Sequence, residues 1–313
     1  MMMKDLISKD KLVKAPDMSD PISLWTDYSE LLCLTADDQC IDQDQLCSAA
    51  LKSDDFASFS ERRQKNRKEA LTTKYKDVYD HVGLRGQLLE DIYPFDVNSD
   101  GQLCVKSGDM SELQQLYLLL LCASNLNYMH SITSLTSDFE VVSLLYMRKL
   151  FPGMTFKLFG SSNTNTFLQP SDIISDNKLS DRIISLSKFI SVSYNEKTVC
   201  KLSPHDHGDG GLDLVGVKPL GDNRRAIPVI FGQCACSPDQ WAAKQNSISD
   251  AQWSRYLQTW ETSFQRYIFI PVWYMNSDKQ FENELKLSCC VVVDRLRLLK
   301  MADNTFISKC SSK

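Results

Sequence analysis

Two polar side chains interrupt short apolar segments in the second half of the chain, and both carry oxygen atoms that could bind a cation. Asp213 lies within GLDLV, and Gln233 lies twenty residues later within VIFGQ. Because side chains alternate across a strand, Gln233 would share a face with Val229 and Phe231. If Asp213 lies on the neighbouring strand, its carboxylate, the Gln233 amide oxygen and a backbone carbonyl would converge. Oxygen ligands of that kind suit Mg²⁺ or Mn²⁺.

The segments around these residues predict an α/β fold. The run TSDFEVVSLLYMRKLFPG, from Thr136 to Gly153, predicts an amphipathic helix that carries Glu140 in its first turn. A second helical pattern, LSDRIISLSKFISVSY, precedes two predicted strands, LDLVGV and AIPVIFGQCA. The later runs YIFIPVWYM and LSCCVVVDRLRLLKM predict two more strands, the second joined to a helix that begins near Asp294. This order predicts a mixed central sheet flanked by helices.

The segment after Gln233 predicts a further helix. In CSPDQWAAKQ, Ser237 can cap the helix, Pro238 suits its first position and Gln240 can complete a capping box. Lys244 would lie about two turns into this helix.

Residues 1–130 predict a mostly helical domain, distinct from residues 131–313. The run DPISLWTDYSELLCL has helical spacing and an Asp that can cap its start, and SELQQLYLLLLCASNLNYM is apolar nearly all round, as in a buried central helix. The run LRGQLLEDIYPFDVNSDGQLCV predicts a helix followed by a hairpin. The charged run SERRQKNRKEALTTKYKDVYDHV could bind nucleic acid, but its mixed signs favour a solvent-exposed helix face.

Composition limits the classes of protein to which the chain can belong. It has 313 residues, of which 43% are hydrophobic and 24% charged, as in a globular protein. No apolar run approaches the roughly 20 residues that cross a bilayer, and the N-terminus lacks an apolar signal core, so we expect a cytoplasmic protein without membrane contact. Eleven scattered cysteines predict reduced thiols rather than a disulfide framework.

Charge is divided unevenly along the chain. Residues 1–130 carry 14 Lys and Arg against 22 Asp and Glu, whereas residues 131–313 carry 21 against 18. Neither half is strongly basic, so the totals do not indicate autonomous tight binding of nucleic acid.

Two runs imitate known metal motifs. DVNSDG resembles the start of a calcium-binding EF-hand loop, but Ser107 stands where a bidentate Glu should close the site, so a hairpin turn is the better interpretation. HDHGDG, from His205 to Gly210, resembles a metallo-β-lactamase motif, but the only other histidines, His81 and His130, both lie upstream. A polar loop leading to Asp213 is the preferred interpretation.

The ordered set of Glu140 in DFEVV, Asp213 in GGLDLV and Gln233 in FGQCA resembles the PD-(D/E)XK nuclease superfamily. Its pattern is a helix glutamate, an Asp on one strand, (D/E/Q)-x-K on the next strand, and then a helix. The resemblance covers roughly residues 135–300 and implies a restriction-endonuclease-like core with Asp213, Gln233 and Glu140 around Mg²⁺ or Mn²⁺. The chain departs from the pattern at Ala235, where the family has lysine. Some members supply that lysine from the following helix, which here would be Lys244.

By this resemblance the chain is expected to hydrolyse phosphodiester bonds, with DNA as substrate, in bacterial antiphage defence or restriction. An ATPase or other defence subunit and a homo-oligomer are the partners that the resemblance implies. The alternative is a catalytically inactive scaffold that acts through protein contacts, which Ala235 favours. Each residue also has a structural alternative: Glu140 could complement the helix dipole, Gln233 could be a core amide and Lys244 a surface lysine.

Overall fold

A computed structural model describes residues 6–52, 61–130, 133–160, 168–203, 205, 208–222, 224–258, 264–288 and 290–303. The chain divides into two compact units. Unit 1 comprises Met1–Ile132 together with Trp273–Glu282, and unit 2 comprises Thr133–Val272 and Asn283–Lys313. The first break lies two residues after the predicted limit at residue 130, whereas the later segment of unit 1 has no counterpart in the sequence-based division.

Unit 1 combines helices with a small antiparallel sheet whose strand order is β1-β3-β2. The helices and strands in its described part are α1 (Ile22–Thr35), β1 (Cys40–Ile41), α2 (Gln43–Lys52), α3 (Glu61–Leu89), β2 (Phe95–Val97), β3 (Leu103–Val105) and α4 (Glu112–Ser124).

Local sequence signals account for most of these elements. The predicted hairpin is confirmed: β2 and β3 pair antiparallel, and the side chain of Asn98 accepts hydrogen bonds from the backbone N–H groups of Asp100 and Gln102. The buried central helix is also confirmed as α4, which begins with a capping box between Ser111 and Gln114. The predicted Asp cap of α1 is wrong, because Pro21 occupies the cap position and Asp20 accepts a hydrogen bond from Asp17 N instead.

A buried ion cluster forms the centre of unit 1. The Arg85 guanidinium donates to Asp27 Oδ1 at 2.7 Å and to Glu30 Oε1 at 2.8 Å, and all three residues are buried. Tyr117 donates to the Glu30 carboxylate, and the Trp273 ring lies 4.9 Å from the Arg85 guanidinium carbon. Since a buried charge is tolerated only when it is paired, these contacts fix Arg85 in the core.

One disulfide contradicts the prediction that the cysteines are reduced. Cys40 and Cys104 are directly paired residues of β1 and β3, with their Cα atoms 4.1 Å apart, and their sulfur atoms are bonded. The prediction was wrong because two cysteines 64 residues apart give no spacing signal, and only the strand register brings them together. The other cysteines that the structure describes are free thiols.

Unit 2 has an α/β architecture built on a mixed sheet of six strands in the order β5-β4-β6-β7-β8-β9. Strands β4, β6 and β7 are antiparallel neighbours, whereas β7, β8 and β9 run parallel. The elements of its described part are α5 (Thr133–Leu150), β4 (Thr155–Phe159), β5 (Ile173–Ile174), α6 (Leu179–Phe189), α7 (Glu196–Val199), β6 (Leu214–Val217), β7 (Val229–Cys234), α8 (Trp241–Lys244), α9 (Asp250–Trp253), β8 (Phe264–Phe269), β9 (Val291–Val293) and α10 (Arg295–Met301).

Apolar side chains cover both faces of this sheet. On one face, Tyr146 of α5 packs edge-on against Phe269, with ring centroids 5.9 Å apart. On the other, Phe231 stacks on Phe264 at 4.3 Å and meets Trp253 at 5.4 Å. Trp253 is fully buried and so forms part of the core on this face. Central strands that are buried on both faces are rich in consecutive apolar residues, as β7 is up to Gln233.

The run YIFIPVWYM is only partly a strand. β8 ends at Phe269, two residues before Pro271, and the segment from Trp273 belongs to unit 1. Prediction of one continuous strand was wrong because proline lacks the N–H that continues a ladder. The helix predicted near Asp294 is confirmed: Asp294 caps α10 by accepting a hydrogen bond from Arg297 N.

Among the helices that the structure describes, none is long and apolar enough to cross a membrane.

Candidate functional site

Asp213 and Gln233 meet at one end of the pairing between β6 and β7. The strand register pairs Val215 with Phe231 and Leu214 with Gly232, so Asp213, which precedes β6, lies beside the end of β7. Asp213 N donates to Gly232 O at 2.9 Å, which fixes the backbone at this point. The two side chains are nearly buried, with exposed fractions of 7% for Asp213 and 5% for Gln233.

The two side chains are joined directly. Gln233 Nε2 donates to Asp213 Oδ2 at 2.5 Å, and Cys234 N donates to the same oxygen at 2.6 Å. Gln233 Nε2 also lies 3.2 Å from Cys234 O. Gln233 Oε1, in contrast, is buried and has no hydrogen-bond partner among the residues that the structure describes. An unsatisfied buried amide oxygen is costly, so its persistence in the fold calls for a ligand or another reason to keep it.

Burial and neighbouring charge hold the pKa of the Asp213 carboxyl well above its usual value of 3.8. Burial is the largest cause, and the carboxylates of Glu140 and Asp209 add to it. The hydrogen bond from Cys234 N and the ammonium of Lys244 act in the opposite direction. The side chains of Glu140, Asp209 and Lys244 therefore all lie within electrostatic range of Asp213.

The fold thus brings the four residues singled out in the sequence, Glu140, Asp213, Gln233 and Lys244, into one neighbourhood. It adds Asp209, which sequence reasoning had assigned to a loop. Asp209 Oδ1 accepts a hydrogen bond from Gly211 N at 2.7 Å. The signal that could have found it is the pair of glycines between two acids, because tight turns there return the chain towards Asp213.

Gly211 closes one side of the site. Its φ of +79° lies in the left-handed region, and a Cβ atom there would lie 3.2 Å from Gln233 Oε1 and would collide with Ser247. Any side chain at this position would therefore press on the unpartnered amide oxygen. Of the neighbouring motif residues, His205 is exposed, and Asp206 and His207 lie outside the described residues.

Glu140 lies deeper in its helix than the sequence predicted. α5 begins at Thr133 rather than Thr136, so Glu140 is the eighth residue of the helix and lies beyond its first turn. Because the helix dipole acts mainly within the first turn, complementing it does not explain this glutamate.

The helix that carries Lys244 is shorter than predicted. α8 spans Trp241–Lys244, and the preceding residues form turns. In these turns Ser237 Oγ accepts a long hydrogen bond of 3.4 Å from Gln240 N. The predicted start at Pro238 is therefore wrong: local capping signals produced a turn instead of a helix. Lys244 lies at the end of the single turn of α8 and is half-buried.

Two buried residues fix α8 in place. Trp241 is fully buried. Gln245 Nε2 donates to Ala242 O at 3.1 Å and to Lys286 O at 2.8 Å, and Gln245 Oε1 accepts from Ser288 N at 3.0 Å. Lys244 therefore extends from a segment that is held on both sides of it.

The position at which the family pattern has lysine cannot hold an exposed cation in this fold. Ala235 is fully buried, with an exposed fraction of 0%, and its N–H donates to Phe269 O at 2.9 Å. The nearby thiols do not supply a nucleophile either. Burial raises the pKa of Cys236 to about 12 despite the lowering effect of Lys244, so this thiol is protonated at neutral pH.

The oxygen atoms of this site are of the type that binds a hard divalent cation, but its carboxylates alone do not provide enough ligands. Within the part of the chain that the structure describes, no group of three or more His, Cys, Asp or Glu side chains could hold a metal ion. A cation here would need the Gln233 amide oxygen, and backbone or water oxygens, in addition to Asp213. The unpartnered Gln233 Oε1 and the excess of carboxylate charge both favour such an ion.

No family model, curated protein or solved structure matches this chain.

Proposed function

We propose that the chain is a divalent-cation-dependent nuclease of the PD-(D/E)XK kind that hydrolyses phosphodiester bonds of DNA. The observation that carries the proposal is the buried, unpartnered Gln233 Oε1 beside Asp213, with Glu140 and Lys244 acting on the same neighbourhood. The residues also follow the chain order of the family pattern: a helix with Glu140, then Asp213, then a strand with Gln233, then the helix of Lys244.

Each residue has a role in this proposal. Asp213 and Gln233 Oε1 would hold Mg²⁺ or Mn²⁺, with Glu140 acting on it indirectly. When bound, the cation supplies Lewis-acid polarisation of the phosphate and an acidified water. Lys244 places a positive charge near Asp213 and would stabilise the negative charge that develops on the phosphate as water attacks phosphorus and the alkoxide leaves.

The amide of Gln233 must turn for this binding to occur. Its N–H group now faces the Asp213 carboxylate, and a cation between Asp213 and Gln233 requires the carbonyl oxygen on that side. Reversing the amide would cost the 2.5 Å hydrogen bond and would direct the unpartnered oxygen towards the cation.

The biological setting in this proposal rests on the resemblance. A nuclease of this kind, with neither half of the chain strongly basic in total charge, would act in bacterial antiphage defence or restriction beside an ATPase or other subunit that delivers DNA. Self-association is a further part of this proposal.

The nuclease proposal is tested by incubating the purified chain with supercoiled plasmid in EDTA, Mg²⁺, Mn²⁺ or Ca²⁺. Nicked or linear product that forms with Mg²⁺ or Mn²⁺ and is absent with EDTA is the expected result. Parallel reactions with single-stranded DNA and RNA define the substrate class. A folded protein that leaves every substrate intact with Mg²⁺ and Mn²⁺ contradicts the proposal.

A second candidate function is an inactive scaffold that binds other proteins. It is favoured by the burial of Ala235 and by the Gln233 N–H group that already satisfies Asp213. Absence of cleavage together with absence of Mn²⁺ binding would support the scaffold instead of the nuclease.

A further inference from the structure

The N-terminal half of α3 is the most basic segment of unit 1. Residues 61–76 carry seven Lys and Arg against two Glu, whereas the rest of residues 1–130 carries seven against twenty Asp and Glu. A net charge of +5 is thus concentrated on four to five turns of one helix in an otherwise acidic part of the chain. The net charge of residues 1–130 as a whole is negative and does not reveal this basic segment.

Four of these basic side chains form one surface, which we call the basic face: Arg62, Lys65, Lys68 and Lys76. All four are exposed. At 100° per residue they fall within about a third of the helix circumference. Thr72 and Glu69 lie in the same sector, and Lys65 Nζ is 4.0 Å from Glu69 Oε1. That ion pair is solvent-exposed, so it neutralises little of the positive charge.

The opposite side of α3 is held against the rest of unit 1. Leu71 and Val78 are buried, and Lys74 Nζ donates to Asp20 O at 3.1 Å. The basic face is therefore displayed by a helix whose opposite side is fixed, rather than by a segment without tertiary contacts.

We propose that the basic face binds the phosphate backbone of duplex DNA. The inference rests on the proposed function for the choice of DNA and deepens it by naming a second surface that holds the substrate. From Arg62 to Lys76 the helix extends about 21 Å, a length over which a duplex presents roughly twelve phosphates. Lys, Arg and Thr side chains are the groups that commonly contact phosphate.

The composition of this surface disfavours the other partners of a basic helix. A membrane-surface helix needs an apolar face that enters the lipid, but the run ERRQKNRKEA contains no residue more apolar than alanine. A protein interface is anchored by buried aromatic or aliphatic side chains, and the basic face has none. Charge without apolar anchors is typical of sequence-independent binding to phosphate.

The test is fluorescence anisotropy with a labelled 20-base-pair duplex, in EDTA so that no cleavage occurs, from 50 to 200 mM KCl. The test variant is R62Q/K65Q/K68Q/K76Q. The matched control is K188Q/K197Q/K201Q/K300Q, which removes four exposed lysines from unit 2. Circular dichroism and thermal unfolding confirm that both variants are folded. Binding to vesicles that contain phosphatidylserine is measured in parallel.

The basic-face variant is expected to bind at least about tenfold more weakly at 100 mM KCl. Its plot of log affinity against log salt becomes shallower by about 0.9 for each lost phosphate contact. The control stays within about threefold of the unmodified chain. Unchanged affinity and slope in the basic-face variant, equal loss in the control, or binding to vesicles but not to duplex would each overturn the inference. Because EDTA blocks cleavage, loss of binding here is distinguishable from failure of the nuclease proposal, which appears as binding without hydrolysis.

Discussion

Gln233 Nε2 donates a 2.5 Å hydrogen bond to Asp213 Oδ2, while Gln233 Oε1, on the same amide, is buried without a hydrogen-bond partner in the described part of the chain. The amide therefore stabilises the Asp213 carboxylate at the expense of its own carbonyl oxygen. Around this pair, Glu140 and Asp209 add negative charge and Lys244 adds positive charge. Such an arrangement is unfavourable for a structural core and suits a site that gains stability on binding a cation.

Replacing Gln233 by Glu should make the chain more dependent on divalent cations. The substitution removes the N–H donor to Asp213 and places a second carboxylate beside it, so we expect the free energy of unfolding without metal to fall by roughly 1–3 kcal/mol at neutral pH. Mn²⁺ should restore more stability to Q233E than to the unmodified chain. Thermal unfolding with EDTA and with Mn²⁺ measures both effects.

The control for this prediction is Q233L, which removes the same donor without adding charge. Equal stability of Q233E and Q233L in EDTA, with no larger Mn²⁺ effect for Q233E, would show that no cation site lies between residues 213 and 233.

Replacing Asp213 by Asn should change how stability depends on pH. The pKa of the Asp213 carboxyl is higher in the folded state than in the unfolded chain, because the fold opposes its ionisation. The free energy of unfolding therefore falls as pH rises from about 3.8 through the folded pKa. D213N has no such group. In EDTA, D213N should therefore gain stability relative to the unmodified chain as pH rises from 4 to 8, in denaturant unfolding at each pH. A difference that stays constant over this range would contradict the raised pKa.

Replacing Lys244 by Ala should reduce cleavage by about 100- to 1,000-fold with little effect on folding. The Lys244 ammonium lies within electrostatic range of Asp213 and would stabilise the negative charge that develops on the phosphate. Removing one such stabilising group from an active site typically lowers the rate by about 100- to 1,000-fold. K244R should rescue poorly, because a planar guanidinium does not replace a compact ammonium. The rate of plasmid cleavage measures the effect, and K201A, which removes an exposed lysine, serves as control. An unaltered rate in K244A would remove Lys244 from the mechanism.

Breaking the Cys40–Cys104 disulfide should destabilise unit 1. The bond closes a loop of 64 residues, for which the chain-entropy relation gives about 4 kcal/mol. C40S/C104S should begin to unfold at a lower temperature than the unmodified chain. A reducing agent should lower the unfolding temperature of the unmodified chain to that of C40S/C104S. C200S, which alters an exposed free thiol, should unfold as the unmodified chain does.

Features with local causes were predictable from the sequence. The hairpin around Asn98 follows from turn residues between short strands, and the α10 cap at Asp294 follows from a single side-chain hydrogen bond. The alternation that put Gln233 at the end of an apolar row also follows from local geometry, since Phe231 packs in the core and Gln233 reaches Asp213. The turn, the cap and the strand alternation each depend on residues that are close together in the sequence.

Features that depend on distant contacts were not predictable. Pairing of Cys40 with Cys104 is set by strand register, and assignment of Trp273 to unit 1 is set by contacts such as that with Arg85. Asp209 joins the site only because two left-handed glycines turn the loop back towards Asp213. The late start of α8 at Trp241 was also not predictable, because the capping signals at Ser237 and Pro238 lead to a turn in the structure.

The most direct test of the central claim is the rate of Mn²⁺-dependent plasmid cleavage by D213N compared with the unmodified chain, at matched concentration and with both proteins shown to be folded. Asparagine keeps the size of the side chain but removes the anionic ligand, so the account predicts a loss of at least about 100-fold, equivalent to roughly 2.7 kcal/mol in the barrier. Cleavage by folded D213N at the rate of the unmodified chain would contradict it.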